Sequence, residues 1–133
     1  MFSLYPVICA SDVALSRDYY RDVLGMKVVF DSGWFVHLQD PANETVQLGI
    51  VAREHDTVPV GYRTEPSGVL VTVEVDDTDA IHTRAVEHGL TIVMPLRSEE
   101  FGQRHFMTVD PDGLLVDVVT VIPFSEEQAA FSV

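Results

Sequence analysis

The sequence predicts an α+β fold built from two tandem βαβββ modules within 133 residues. Three observations carry that expectation. Short stretches of strand-like and helix-like periodicity run in the order strand, helix, strand, strand, strand, and the order then repeats. Each half has a helical stretch that opens on an aspartate, Asp12 or Asp77, and stops at a glycine, Gly25 or Gly89, at nearly the same distance. Each half also sets an Asp-Pro turn, Asp40-Pro41 or Asp110-Pro111, before its last strand.

In the first half, residues 4–10 are an apolar run that reads as a buried strand. Ser11 and Asp12 can cap a helix in which Leu15, Tyr19, Tyr20, Val23 and Leu24 recur at helical spacing, and Gly25 ends it. Residues 27–31, 34–39 and 45–53 follow as strands, separated by Ser32-Gly33 and by the turn at 40–43. In the second half, β-branched residues over 69–75 read as a strand. Asp76, Asp77 and Thr78 cap a helix carrying Ile81, Ala85 and Val86, and 90–94, 103–109 and 114–122 are strands. Asp112-Gly113 suits the positive φ of a tight hairpin. The expected organisation is therefore a single domain, with module one over 1–53, a linker over 54–67, module two over 68–122 and a tail over 123–133. The linker is long enough to suggest a lid or crossover, and the tail suggests a short helix.

The repeat pairs individual positions. Counting back from the capping aspartates by one offset matches Tyr5 with Leu70, and counting forward from the Asp-Pro turns by one offset matches Gln47 with Asp117. Side chains alternate along a strand, so equal offsets place matched residues on equivalent faces.

Composition narrows the function. A net charge of −13 with only 8 Lys and Arg excludes nucleic acid as a partner, because phosphate binding depends on basic side chains. The same negative charge suits a cationic ligand or simply keeps the chain soluble. No apolar run approaches the ~20 residues of a membrane span, and no basic segment precedes the first strand, so neither a membrane segment nor a signal peptide is expected. Cys9 is the only cysteine, which excludes an internal disulfide and makes the cytoplasm the expected compartment.

The segment 11–26, a capped helix with the aromatic pair Tyr19-Tyr20 that ends in Leu24-Gly25, resembles the first helix of the glyoxalase/bleomycin-resistance/dioxygenase (vicinal oxygen chelate) superfamily. Residues 109–117 resemble its closing hairpin, and 45–49 its fourth strand. The resemblance implies eight strands curling as an open mixed sheet around a cleft for a small molecule, commonly in a homodimer. It also implies that, in metal-dependent members, four cleft positions hold a divalent cation, and these fall here on Tyr5, Gln47, Leu70 and Asp117. Such a cation needs several converging O or N donors. Leu70 has none and a neutral phenol is a poor ligand, so no metal and no cofactor is expected.

The remaining polar residues each carry two readings. Asp117, in a strand of Leu115, Val116, Val118 and Val119, is a candidate base or amine partner, or a solvated aspartate at the cleft mouth. His105 shares parity with Met107 and is a candidate proton shuttle or ligand contact, or a satisfied structural histidine. Arg104 and its neighbour Gln103 could fix an anionic or carbonyl group. Glu74 shares parity with Leu70 and could pair with Asp117, or lie in solvent. Parity does not settle which face His37 occupies. Trp34 and Tyr5 are the chosen stacking surfaces, with Met107 as further ligand-facing lining. Cys9 reads as core rather than as a nucleophile.

The function expected from these features is sequestration of a small organic molecule without a catalytic metal, in a protein that is not an enzyme. The alternative is a metal-independent isomerase or lyase acting on a carbonyl compound, with Asp117 or His105 as base. A second alternative is a divalent-metal enzyme with His37, His105 or Glu74 as substitute ligands.

Overall fold

The computed structural model describes residues 1–132. The chain forms two compact units, Met1–Gly68 together with Asp110–Gly113, and Val69–Val109 together with the chain from Leu114 onward. Both have the same plan. In unit one, β1 (Val7–Ala10), α1 (Val13–Asp22), β2 (Lys27–Asp31), β3 (Phe35–Gln39) and β4 (Gln47–Ala52) follow one another. In unit two the series is β5 (Val71–Glu74), α2 (Thr78–Glu87), β6 (Ile92–Glu99), β7 (Gln103–Val109) and β8 (Leu115–Val121). A short helix, α3 (Glu126–Ala129), falls in the expected tail, whose last residue, Val133, lies outside the described residues.

The sheets repeat as well. The strand orders are β1-β4-β3-β2 and β5-β8-β7-β6, each with one parallel pair and two antiparallel pairs. The expected modules are thus present as two four-stranded mixed sheets. Asp12 accepts from the Leu15 amide at 3.0 Å and Asp77 from the Ala80 amide at 3.2 Å, so both helices start where the caps place them. Gly25 and Gly89 end them at φ 75° and 71°, a conformation costly for other residues.

Burial alternates along β1, β3 and β5, whereas four successive residues are buried in each of the central strands β4 and β8. In unit one, Ile8, Val36, Leu38, Leu48 and Ile50 are buried with Tyr19, Tyr20 and Val23 of the α1 region. In unit two, Phe106, Val116 and Val118 are buried on the α2 side, where His82 meets the Phe106 ring edge-on at 5.0 Å. Period-two alternation leaves a second, helix-free face on each sheet. That face carries Cys9, His37, Gln47 and Gly49 in unit one, and Thr72, Glu74, His105, Met107 and Asp117 in unit two.

Three of the boundaries that differ from the sequence reading bear on the candidate residues. The first strand begins at Val7, and Leu4 is exposed; Pro6 has no amide to donate, and its carbonyl accepts from Gly49 as parallel pairing starts. Strand β5 begins at Val71, so Leu70 precedes it. Strand β6 runs to Glu99, well past the expected end at 94, because Pro95 lies on an edge strand with register shifts, where a missing amide costs no ladder bond. Among the described residues no helix is long and apolar enough to cross a membrane.

Candidate functional site

In unit one the helix-free face and the segment after β4 border an open apolar pocket of about 390 Å³. Val7, Cys9, Trp34, Phe35 and Val51 line it from the sheet side, and Thr57, Val58 and Pro59 form the remaining wall. The segment is tied down locally. His55 donates its amide to the Ala52 carbonyl, Val58 to His55, and the Arg63 side chain donates to the Val58 carbonyl at 2.8 Å. The expected linker is therefore built into unit one. Trp34 is 40% exposed and stacks on His55 with ring centroids 3.6 Å apart and planes 3° from parallel.

Beside this pocket lies a polar cluster. The His37 Nε2 is 2.8 Å from the Gln47 Oε1, and the Gln47 amide nitrogen donates to the Glu44 carbonyl at 2.9 Å. That second bond fixes which way the Gln47 amide points. Its Oε1 can only accept, so the His37 Nε2 carries the proton and Nδ1 is the ring's acceptor. The Tyr5 ring meets His37 edge-on at 4.7 Å. His37 therefore shares a face with Gln47, which parity alone did not decide.

In unit two the helix-free face holds a histidine dyad. The His105 Nδ1 is 2.8 Å from the Asp117 Oδ1, and both residues are buried. A carboxylate accepts only, so Nδ1–H donates and Nε2 is left as an acceptor. Among the described residues the buried Nε2 has no hydrogen-bond partner, and the Glu99 Oε2 lies 3.6 Å away, within ion-pair range but beyond a hydrogen bond. Arg97 pairs with Glu99 at 2.9 Å and stands across from His105 in the β6–β7 register.

The two polar clusters are related by the internal repeat. His37 lies opposite Gly49 and bonds to Gln47, while His105 lies opposite Val119 and bonds to Asp117. Each is a histidine on the third strand of its module, held by the matched acceptor on the fourth.

The other candidate residues are scattered. Leu70 is 49% exposed just before β5, and Glu74 is exposed across from Val119, so the partner of Asp117 is His105 rather than Glu74. Met107 stands opposite Asp117. Arg104 points to the α2 side, where it pairs with Asp79 at 3.0 Å, away from His105. Sequence reasoning missed His55, Arg97 and Glu99. No periodic signal marks His55, and the other two lie on the part of β6 beyond Pro95, outside the strand expected over 90–94.

The positions at which family members hold a cation do not fit one here. Leu70 is hydrocarbon, Gln47 is occupied by His37 and Glu44, and Asp117 is occupied by His105. Among the described residues no group of three or more His, Cys, Asp or Glu side chains could hold a metal ion.

Comparison with known proteins agrees with this architecture. A protein of unknown function from Agrobacterium tumefaciens is 29% identical, with a TM-score of 0.72 over 92% of this chain and 95% of its own. A glyoxalase/bleomycin resistance protein/dioxygenase superfamily member from Sphaerobacter thermophilus is 24% identical, with a TM-score of 0.73 over 90% and 97%. TnmS3, an antibiotic binding protein from Streptomyces, is 21% identical, with a TM-score of 0.72 over 91% and 96%. The last two likenesses speak to fold alone. Among curated proteins none matches the chain. Residues 4–118 match the family described as Glyoxalase/Bleomycin resistance protein/Dioxygenase superfamily, and with that span the chain belongs to this superfamily.

Proposed function

We propose that this protein binds a small, planar, largely apolar organic molecule without a catalytic metal, as a sequestering protein rather than an enzyme. The observation that carries the reading is the unit-one pocket. It has ligand-like size and an apolar lining, and the Trp34 ring stands at its edge. The fold is one that an antibiotic binding protein also uses. The lack of converging donors at the family's metal positions supports the metal-free part of the proposal.

Trp34 is the only tryptophan, so its emission reports on the pocket without labelling. Titration with a neutral arylamine dye such as phenylnaphthylamine should give saturable quenching of Trp34 with energy transfer to the dye. Val58→Asp puts a carboxylate on the pocket wall and should abolish both signals. Unchanged Trp34 emission up to the solubility limit of the dye, or quenching that persists in Val58→Asp, would sink the proposal. A metal-free preparation should bind as well as one supplied with divalent cations.

A further inference from the structure

We propose that the helix-free face of unit two carries a binding site for a protonated amine, centred on His105 Nε2 and Glu99. The argument starts from a confrontation of acceptors. Asp117 accepts from Nδ1–H at 2.8 Å, so in its neutral form the ring presents a lone pair at Nε2. His105 is 4% exposed, and among the described residues nothing donates a hydrogen bond to Nε2. The nearest facing group, the Glu99 Oε2 at 3.6 Å, is itself an acceptor. A buried acceptor with no donor is costly, and native proteins keep few of them without a functional reason. A group carrying two or more hydrogens satisfies both atoms at once, and an ammonium offers three.

Charge selects a cation over a neutral donor. Asp117, Glu99 and Glu74 lie on this face, and Arg97 is the guanidinium beside them, already paired with Glu99. Arg104 is turned to the opposite face by Asp79. Three carboxylates share one guanidinium on this face, so an anionic ligand would meet net negative charge, whereas an ammonium is attracted to it. Phe101, edge-on to His105 at 6.3 Å, and Met107, opposite Asp117, offer hydrocarbon to the substituent, so the ligand class is an alkyl or aryl amine. Glu99 keeps 19% of its side-chain surface exposed, and the ammonium enters by taking the place of Arg97 at its carboxylate.

The test uses the full chain with nitrogen-15-labelled histidine, phenethylammonium as probe and phenylpropionate as its anionic counterpart. Without ligand, His105 should show a protonated Nδ1 and an unprotonated Nε2. Phenethylammonium should shift Nε2 saturably, and phenylpropionate should not. In Glu99→Gln one charge is lost and the carboxamide N–H is able to satisfy Nε2, so amine affinity should fall about tenfold or more. Arg97→Gln removes the competing cation and should tighten binding. A ligand-free ring protonated on both nitrogens, shared as a cation by Asp117 and Glu99, would overturn the proposal. So would equal shifts with both probes, or no shift with the amine. The readout is the His105 ring rather than Trp34, so this site stands or falls independently of the unit-one pocket.

Discussion

Gly49 offers the sharpest test of the unit-one pocket, because it separates stability from binding. It sits on β4 across from His37 and parallel-paired with Val7, and it has no positive φ, so only space is at issue. A Cβ added there would lie 3.0 Å from the Val7 Cγ2 and 3.2 Å from the Phe35 Cζ. Ordinary carbon contacts are about 3.5–4.0 Å, so both neighbours must yield by roughly half an ångström. Overpacking of a closed core costs about 1–3 kcal/mol, while removing a glycine from a strand returns about 0.5–1 kcal/mol. Val7 is 46% exposed and Phe35 is half-buried at the pocket, so both are free to move and the strain falls at the low end. Stability of Gly49→Ala should therefore stay within about 1 kcal/mol, a melting shift of about 4 °C or less for a chain of this length. The displaced side chains are the pocket's own lining. A misfit of one carbon in an apolar pocket costs about 1 kcal/mol or more, so arylamine dye affinity should fall at least about fivefold. Calorimetry and Trp34 quenching measure the two effects, with Gly61→Ala, which meets nothing within 4 Å, as the control. An unchanged dye affinity would refute the pocket as the binding surface. A loss of several kcal/mol would show that Val7 and Phe35 are not free to move.

Other expectations follow from buried polar groups. The Tyr20 hydroxyl donates to the Asp110 Oδ2 at 2.8 Å, whereas the adjacent Tyr19 hydroxyl is buried with no partner among the described residues. Tyr20→Phe should cost about 1.5–3 kcal/mol and Tyr19→Phe should be neutral or stabilising, as read by urea unfolding; equal effects would contradict this difference. Burial, and then the charge of Asp110, raises the pKa of both phenols. A raised folded value means that stability is fully present below the unfolded pKa of about 10 and is lost as pH climbs above it, at about 1.4 kcal/mol per pH unit per tyrosine. Alkaline titration should accordingly show these two phenols ionising only with unfolding, and ionisation in the folded chain would contradict it. The His37 ring should show a protonated Nε2 by nitrogen-15 spectroscopy, the reverse of His105, and Gln47→Leu should release that preference.

Much of the fold was legible because it depends on short-range chemistry. Asp12 and Asp77 cap their helices with their own carboxylates, and Gly25 and Gly89 adopt positive φ, so residues within a turn of one another settle these boundaries. Strand ends were less legible where pairing decides them. Pro95 looks like a breaker in sequence but is tolerated because β6 is an edge strand, and an edge is defined only by the neighbour a strand lacks. The same extension of β6 concealed Arg97 and Glu99.

The candidate site divides in the same way. The internal repeat alone makes Gln47 and Asp117 equivalent positions, because strand periodicity carries equal offsets to equivalent faces. That Leu70 offers no ligand atom follows from its identity. What those positions hold depends on how the strands pair. Residues 10 and 12 apart in the chain, His37 with Gln47 and His105 with Asp117, meet across antiparallel strands at 2.8 Å, and register rather than local spacing sets such meetings. Register likewise turned Arg104 toward Asp79, and local loop bonding stacked His55 on Trp34. Proton positions on the two imidazoles follow from those contacts, because a ring nitrogen donates or accepts according to the atom it faces.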